Sequence, residues 1–440
     1  MLPTTEREKV DGLERRLSLF DSVSLVIGAV IGSAIFLVPA TVLGAHPSPL
    51  AGGLVFLFAG VLSWFGALAY AELGSMFPNT GGEYVYLRES WGSGTAFLCG
   101  WSYFIVTQTA GQAALAVGFS ALVGSVTTLG PVTSRLCSAG LLITLTLLNI
   151  RGVRTGAVAG NLLNVCKAYG LLGVIAAALF FHDPVPIDWG WPADWTFAQL
   201  GLAMVPVLWA YEGWNLVTFV GGEVRRAESS VPKALSAGLG VVIAVYLLSL
   251  WVYLRVLTVP EIIASEAVAP AVAQRVLGGA GGTLVTITMI IALAGATNAA
   301  ILAAPRLYFA QARDGLFFRS FATVHPRFRT PVTGLIFQCV WAVILSLTGS
   351  YEALLSCCMF VAWIFYAFCV AAVFKLRREM PDRPRAYKMW GYPWSGAVFI
   401  VTAVVFVVST LVTRPWTSLA GVALMAAGLP LYWRWRRERC

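Results

Sequence analysis

Long apolar runs, separated by short clusters of polar and charged residues, make up most of the chain. Runs long enough to cross a bilayer fall at about 19–43, 50–77, 95–122, 131–149, 158–181, 197–221, 234–258, 283–310, 332–349, 353–376, 394–413 and 416–433, a spanning helix needing about 20 residues. The pattern predicts an all-α membrane protein of about twelve transmembrane helices. An even number returns both ends to one side. The first run follows a charged segment and is a full span rather than the short core of a signal peptide, so it is expected to remain in the protein.

Two of these runs are interrupted at their centres. In the first, Gly28-Ala29-Val30-Ile31-Gly32-Ser33-Ala34 lies about halfway between Leu19 and Leu43. A helix inside hydrocarbon can break only where the freed N–H and C=O groups find partners in protein or in a polar cavity; the other reading is a small-residue face packed on a neighbouring helix. The sixth run carries Trp209-Ala210-Tyr211-Glu212-Gly213-Trp214-Asn215. A carboxylate, an amide and a glycine in mid-membrane require partners or a cavity. The breaks open the first and second groups of five spans, and an odd-numbered unit inserts upside down relative to its copy. Matched breaks of this kind mark a transporter built from an inverted repeat, with the substrate held between the halves. The chain then divides into a cytoplasmic segment 1–18, a five-helix repeat 19–181, an inverted five-helix repeat 197–376, two accessory helices 394–433 and a cytoplasmic tail 434–440.

Composition agrees, since 58% hydrophobic residues, 12% charged residues and a mean hydropathy of +0.78 exclude a soluble globule. The net charge of +9 follows the membrane: 25 of the 30 Lys and Arg fall on one side of the expected topology. By the positive-inside rule that side is cytoplasmic, which places both termini in the cytoplasm of a multi-pass inner-membrane protein. No nucleic-acid partner is implied. Cys99, Cys137, Cys166, Cys339, Cys357, Cys358 and Cys369 lie in apolar spans, where cysteine is a small packing residue. His46, His182 and His325 sit in separate loops. No catalytic constellation, metal site or cofactor motif is expected, and the chain does not read as an enzyme.

Four blocks carry a resemblance to a known family. Gly28-Ala29-Val30-Ile31-Gly32-Ser33-Ala34-Ile35-Phe36 is similar to the first-helix signature of the amino acid–polyamine–organocation superfamily. Tyr70-Ala71-Glu72-Leu73-Gly74, with Pro78 and Gly81-Gly82-Glu83-Tyr84-Val85-Tyr86, resembles its second-helix block. Trp209 to Asn215, with Glu223 and Pro232, resembles the sixth helix of the L-type amino-acid transporter branch; Gly295-Ala296-Thr297-Asn298, Pro305 to Phe309 and Arg313-Asp314-Gly315 resemble its eighth. The match is collinear from about residue 18 to about 375. It implies the inverted-repeat fold with broken helices 1 and 6, and an L-amino acid as substrate. Where the family has glycine, this chain has Ala34, whose methyl group narrows the pocket or limits the unwinding.

The physics of the two breaks suits such a substrate. A half-helix starting near Gly32 offers free N–H groups and a positive dipole end to a carboxylate, with Ser33 and Ala34 beside it. Carbonyls near Val30, Trp209 and Glu212 can take the three donors of an ammonium group. Gly213 and Asn215 complete the set, Asn215 being read most simply as an interhelical hydrogen-bonding residue. By the resemblance, Trp209 occupies the place of an aromatic gate. Glu212 keeps three readings: a counter-charge for a dibasic substrate, a protonatable coupling group, or a carboxyl held neutral by burial.

Lys167 lies some ten residues inside the fifth span, about 15 Å deep and beyond easy snorkelling. In the resembling branch a lysine of the fifth helix stands where sodium-driven relatives hold a sodium ion. Its expected partners are carbonyls near Gly28 and Ala29 and the eighth helix around Gly295 and Asn298. The expected function is therefore sodium-independent exchange of small to medium neutral amino acids, with proton-coupled symport as the alternative. The short segments outside the spans argue against a nutrient sensor. The loop at about 123–132 has no cysteine, whereas eukaryotic L-type transporters use one there to bind a heavy chain; no covalent partner is expected.

Overall fold

The computed structural model describes residues 9–10, 12–190, 197–348 and 351–437, so parts of the expected N-terminal and C-terminal segments lie outside the described residues. Helices account for nearly all of it, in the order α1 Leu19–Val30, α2 Ala34–Ala45, α3 Pro49–Met76, α4 Glu83–Trp91, α5 Ser93–Ser102, α6 Gln108–Thr127, α7 Pro131–Ile150, α8 Val153–Phe181, α9 Phe197–Ala210 and α10 Leu216–Phe219. Then follow α11 Ala227–Val256, α12 Val259–Ala264, α13 Val268–Leu277, α14 Gly279–Arg313, α15 Val332–Thr348, α16 Tyr351–Glu379, α17 Trp394–Thr413, α18 Pro415–Ala426 and α19 Leu429–Arg437. A two-residue hairpin, Lys9–Val10 with Leu13–Glu14, is the sole strand pair among the described residues.

Eight of these helices are long and apolar enough to cross a membrane, and α1 with α2 forms one further span bent by 43°. The spans beyond those are shorter. The sixth is divided between α9 and α10, and α15 has 17 residues. The last expected run, 416–433, is itself split: α18 stops at Ala426, and Gly428 lets the chain pass against the indole of Trp101, where a Cβ would come within 2.6 Å. Beyond it, α19 turns Tyr432 and Trp435 onto the ring of Phe97.

The first helix starts on a reciprocal cap, because the Ser18 hydroxyl accepts from the Asp21 N–H while the Asp21 carboxylate accepts from the Ser18 N–H. The third span is α5 and α6 joined by a π-helical turn, Tyr103–Thr107. Such a turn frees carbonyls in mid-span, and side chains satisfy them: Trp341 Nε1 donates to Ile105 O at 2.9 Å and Thr109 to Phe104 O at 2.8 Å. The tails close one end of the bundle. Leu17 exchanges backbone hydrogen bonds with Glu223 and Arg225, and Trp435 packs on Phe318.

Candidate functional site

The two broken spans touch where each gives out. Gly213 has φ +105°, a left-handed conformation that favours glycine, and a Cβ there would lie 3.1 Å from that of Ala29. Glycine thus permits both the turn and the close approach. Beside this crossing lies a cavity of about 80 Å³ lined by Val30, Gly32, Ser33, Ala34, Trp209, Glu212, Gly213 and Asn215. All eight residues expected to meet the substrate are therefore brought together. Thr107, Gln108, Gly111 and Gln112 of the third span, Ala296 and Ala300 of α14, and Cys358 of α16 also line the cavity.

The donors and acceptors are distributed differently from the expectation. The Gly32 N–H turns back to Val30 O at 2.8 Å, which removes it from the open set. Among the described residues, the N–H groups of Ser33, Ala34 and Ile35 have no hydrogen-bond partner, and they form the free first turn of α2. Val30 O also accepts from the hydroxyl of Tyr246 at 3.0 Å, and the same hydroxyl reaches Ala210 O at 2.8 Å. One hydroxyl proton is shared between the two carbonyls, and Trp209 O accepts from the Glu212 N–H at 3.0 Å. Val30 lines the cavity with its carbonyl already accepting from the Gly32 N–H. Tyr246, on α11, stitches the two breaks together instead.

Glu212 accepts a hydrogen bond from the Tyr366 hydroxyl. Asn215 donates to Glu83 at 2.6 Å, and Tyr103 donates to the same carboxylate. Sequence reasoning quoted Glu83 only as part of a motif and missed it as the anchor of Asn215. It missed Gln112 as well. That side chain is fully buried, lines the cavity, and has neither its Nε2 nor its Oε1 partnered among the described residues; the Thr107 hydroxyl is likewise unpartnered. A buried amide without partners costs about 1–3 kcal/mol per group, which favours a polar ligand there. A pair of glutamines one helical turn apart, Gln108 and Gln112, in an apolar span was the available signal.

Lys167 is buried, with 3% of its surface exposed, and its ammonium donates to Ile31 O at 2.8 Å, Gly28 O at 3.2 Å and Ile27 O at 3.4 Å. Gly28 O and Ile31 O are carbonyls released where α1 ends, whereas Ile27 O also accepts the Ile31 N–H at 2.9 Å. Two further rungs precede it along α8: Asn161 donates to Asp21 at 2.7 Å and Asn164 to Ser24 O at 2.7 Å. The expected second link, from Lys167 to the eighth helix, is corrected. Asn298 instead accepts from Asn149 at 2.8 Å and donates to Gly156 O at 3.0 Å. Among the described residues the hydrogen bonds of Lys167 go to Ile27, Gly28 and Ile31, and none goes to Asn298. Gly295 lies against Leu163 and Asn164. The tether is to the first helix, and α14 packs against both α1 and α8.

Glu72 accepts from Arg377 at 2.6 Å and from the Met389 N–H at 2.7 Å, a structural role at the end of α3. No group of three or more His, Cys, Asp or Glu able to hold a metal occurs among the described residues.

A membrane-spanning bundle whose two broken helices meet at a small polar cavity is a secondary carrier of broken-helix design. Residues 17–427 match the family model for amino acid permeases, and the chain belongs to that family. It is 31% identical to the serine/threonine exchanger SteT of Bacillus subtilis (strain 168) over 432 residues, covering 98% of each chain. It is 28% identical to the b(0,+)-type amino acid transporter 1 of Mus musculus, covering 96% of this chain and 88% of that one. Identity to the cystine/glutamate transporter of Homo sapiens is also 28%, over 97% and 86% of the two chains. The protein is an amino acid transporter, similar to transporters of the L-type branch, and not an enzyme.

Proposed function

We propose that this permease exchanges small to medium neutral L-amino acids without sodium, by alternating access across the inner membrane with both termini in the cytoplasm. The observation that carries the reading is the ammonium of Lys167 on three carbonyls of the first break. It supplies a fixed positive charge at the end of α1. The substrate carboxylate takes the N–H groups of Ser33, Ala34 and Ile35; its ammonium takes acceptors of the sixth-helix turn, and Trp209 covers it. A buried water needs about 10–15 Å³, so a cavity of about 80 Å³ holds roughly five to eight such positions, enough for a serine-sized or threonine-sized molecule. Glu212, capped by Tyr366, is turned toward a hydroxyl rather than offered to a basic substrate, which disfavours dibasic cargo. No disulfide-linked partner is required in this reading.

A proton-coupled symporter is the second reading, favoured by one observation: Glu83 and Glu212 are both held by hydroxyl or amide donors and have no ion-pair partner among the described residues. Purified protein in liposomes separates the two. Preloaded unlabelled serine should drive uptake of labelled serine equally in sodium and potassium buffers, with neutral amino acids competing better than lysine or arginine. Uptake by empty vesicles that follows an imposed pH gradient would establish symport instead.

A further inference from the structure

Away from the transport pocket, the connection between α7 and α8 meets the segment ahead of α15 and forms a second, half-open cavity of about 390 Å³. Arg16, Arg151, Arg154, Arg327 and Arg329 line it, with Glu14 the one acidic residue among them. Glu14 is taken up locally, accepting from Arg16 at 2.6 Å and standing 3.6 Å from Arg329. Asp21 is within electrostatic reach of Arg154, but its carboxylate already accepts from Ser18 and Asn161. Arg151 and Arg327 have no carboxylate within ion-pair distance among the described residues. Several like charges around one cavity repel each other unless an anion joins them.

The wall is held in place. The hydroxyl of Thr330 donates to Ile150 O at 2.9 Å, and the His325 N–H donates to Thr330 O at 2.9 Å. His325 Nδ1 accepts the N–H groups of Arg327 and Phe328, each at 3.2 Å. One side of the cavity opens to apolar surface. Val158 lines it and is 58% exposed, and Leu162 at 63% and Val165 at 43% continue the same stripe along α8 at helical spacing. An arginine-lined cavity continuous with a lipid-facing apolar stripe fits one kind of molecule, an amphiphile with an anionic head.

We propose that this cavity binds the phosphate headgroup of an anionic phospholipid, whose acyl chain lies along Val158, Leu162 and Val165. The guanidinium forks match phosphate oxygens. A zwitterionic headgroup would bring its own cation among the arginines and is disfavoured.

The test is native mass spectrometry of the full chain equilibrated with equal amounts of phosphatidylglycerol and phosphatidylcholine. The parent should retain phosphatidylglycerol in preference. Arg151→Gln with Arg154→Gln should lower that preference about twenty-fivefold, at roughly fivefold per basic residue near a lipid surface; Arg327→Gln should lower it about fivefold, and Lys388→Gln, an exposed position elsewhere, should leave it unchanged. Arg151→Lys with Arg154→Lys should retain part of it, which separates lost charge from lost folding. Equal binding of the two lipids by the parent, or an undiminished preference in both glutamine variants, overturns the proposal. Thermal stabilisation by inorganic phosphate without a preference for phosphatidylglycerol assigns the cavity to a soluble anion and overturns it as well.

Discussion

The ammonium of Lys167 stands 2.8 Å from the carbonyl oxygen of Ile31, the residue at which the first helix gives out. One side chain from the fifth span thereby occupies the electronegative end of a broken helix. Removing it leaves the carbonyls of Gly28 and Ile31 short of a donor, Ile27 O keeping the Ile31 N–H, at about 1–3 kcal/mol for each that finds no water. Lys167→Ala should cut serine exchange in proteoliposomes at least tenfold, and adding sodium should not restore it. A variant that exchanges at the parental rate, or a parent that needs sodium, removes Lys167 from the mechanism.

Tyr366 caps Glu212 at the edge of the substrate cavity. Deleting the hydroxyl frees the carboxylate to face the pocket, where a desolvated anion prefers a cation. Tyr366→Phe should make arginine and lysine measurable competitors of serine uptake, and adding Glu212→Gln should abolish that gain. Competition by dibasic amino acids in the unaltered protein would show that the cap does not act.

The open N–H groups of Ser33, Ala34 and Ile35 call for an anion. Serine methyl ester keeps the shape and ammonium of the substrate but lacks the carboxylate charge, so it should compete at least a hundredfold more weakly than serine. Equal inhibition by acid and ester would move the carboxylate elsewhere.

Gln112 presents an unpartnered amide to the cavity. Its replacement by leucine should shift competition from serine and threonine toward alanine and valine, by about tenfold in relative inhibition, because one hydrogen bond to a substrate hydroxyl contributes about 0.5–1.5 kcal/mol and an orphaned hydroxyl costs more. An unchanged rank order would place the substrate side chain away from Gln112.

Arg306 and Glu223 form an ion pair at 2.6 Å in which neither side chain is exposed. Removing one partner strands a buried charge, at about 3–5 kcal/mol. Glu223→Gln should therefore lower the melting temperature of detergent-solubilised protein clearly, whereas Arg16→Gln, whose pairing is exposed, should change it little. Similar melting curves for the two would refute the assignment.

Span positions, both helix breaks and the buried lysine were legible in the sequence, because each is local. A bilayer demands a run of about 20 apolar residues, and any glycine cluster, carboxylate or ammonium inside one stands out against it. That locality suffices to name the eight residues that meet at the cavity. It does not reach the partners of those residues. Tyr246 reaches the carbonyls of Val30 and Ala210, Gln112 turns an unpartnered amide inward, and Asn298 bonds Gly156 rather than Lys167. Each of these depends on side chains far apart in the chain meeting at hydrogen-bonding distance, a condition set by the rotation of one helix against another. The arginine cavity has the same origin. Its five cations lie in three separate segments, which the sequence marks only as basic and which the packing of α7, α8 and the segment before α15 gathers around one space.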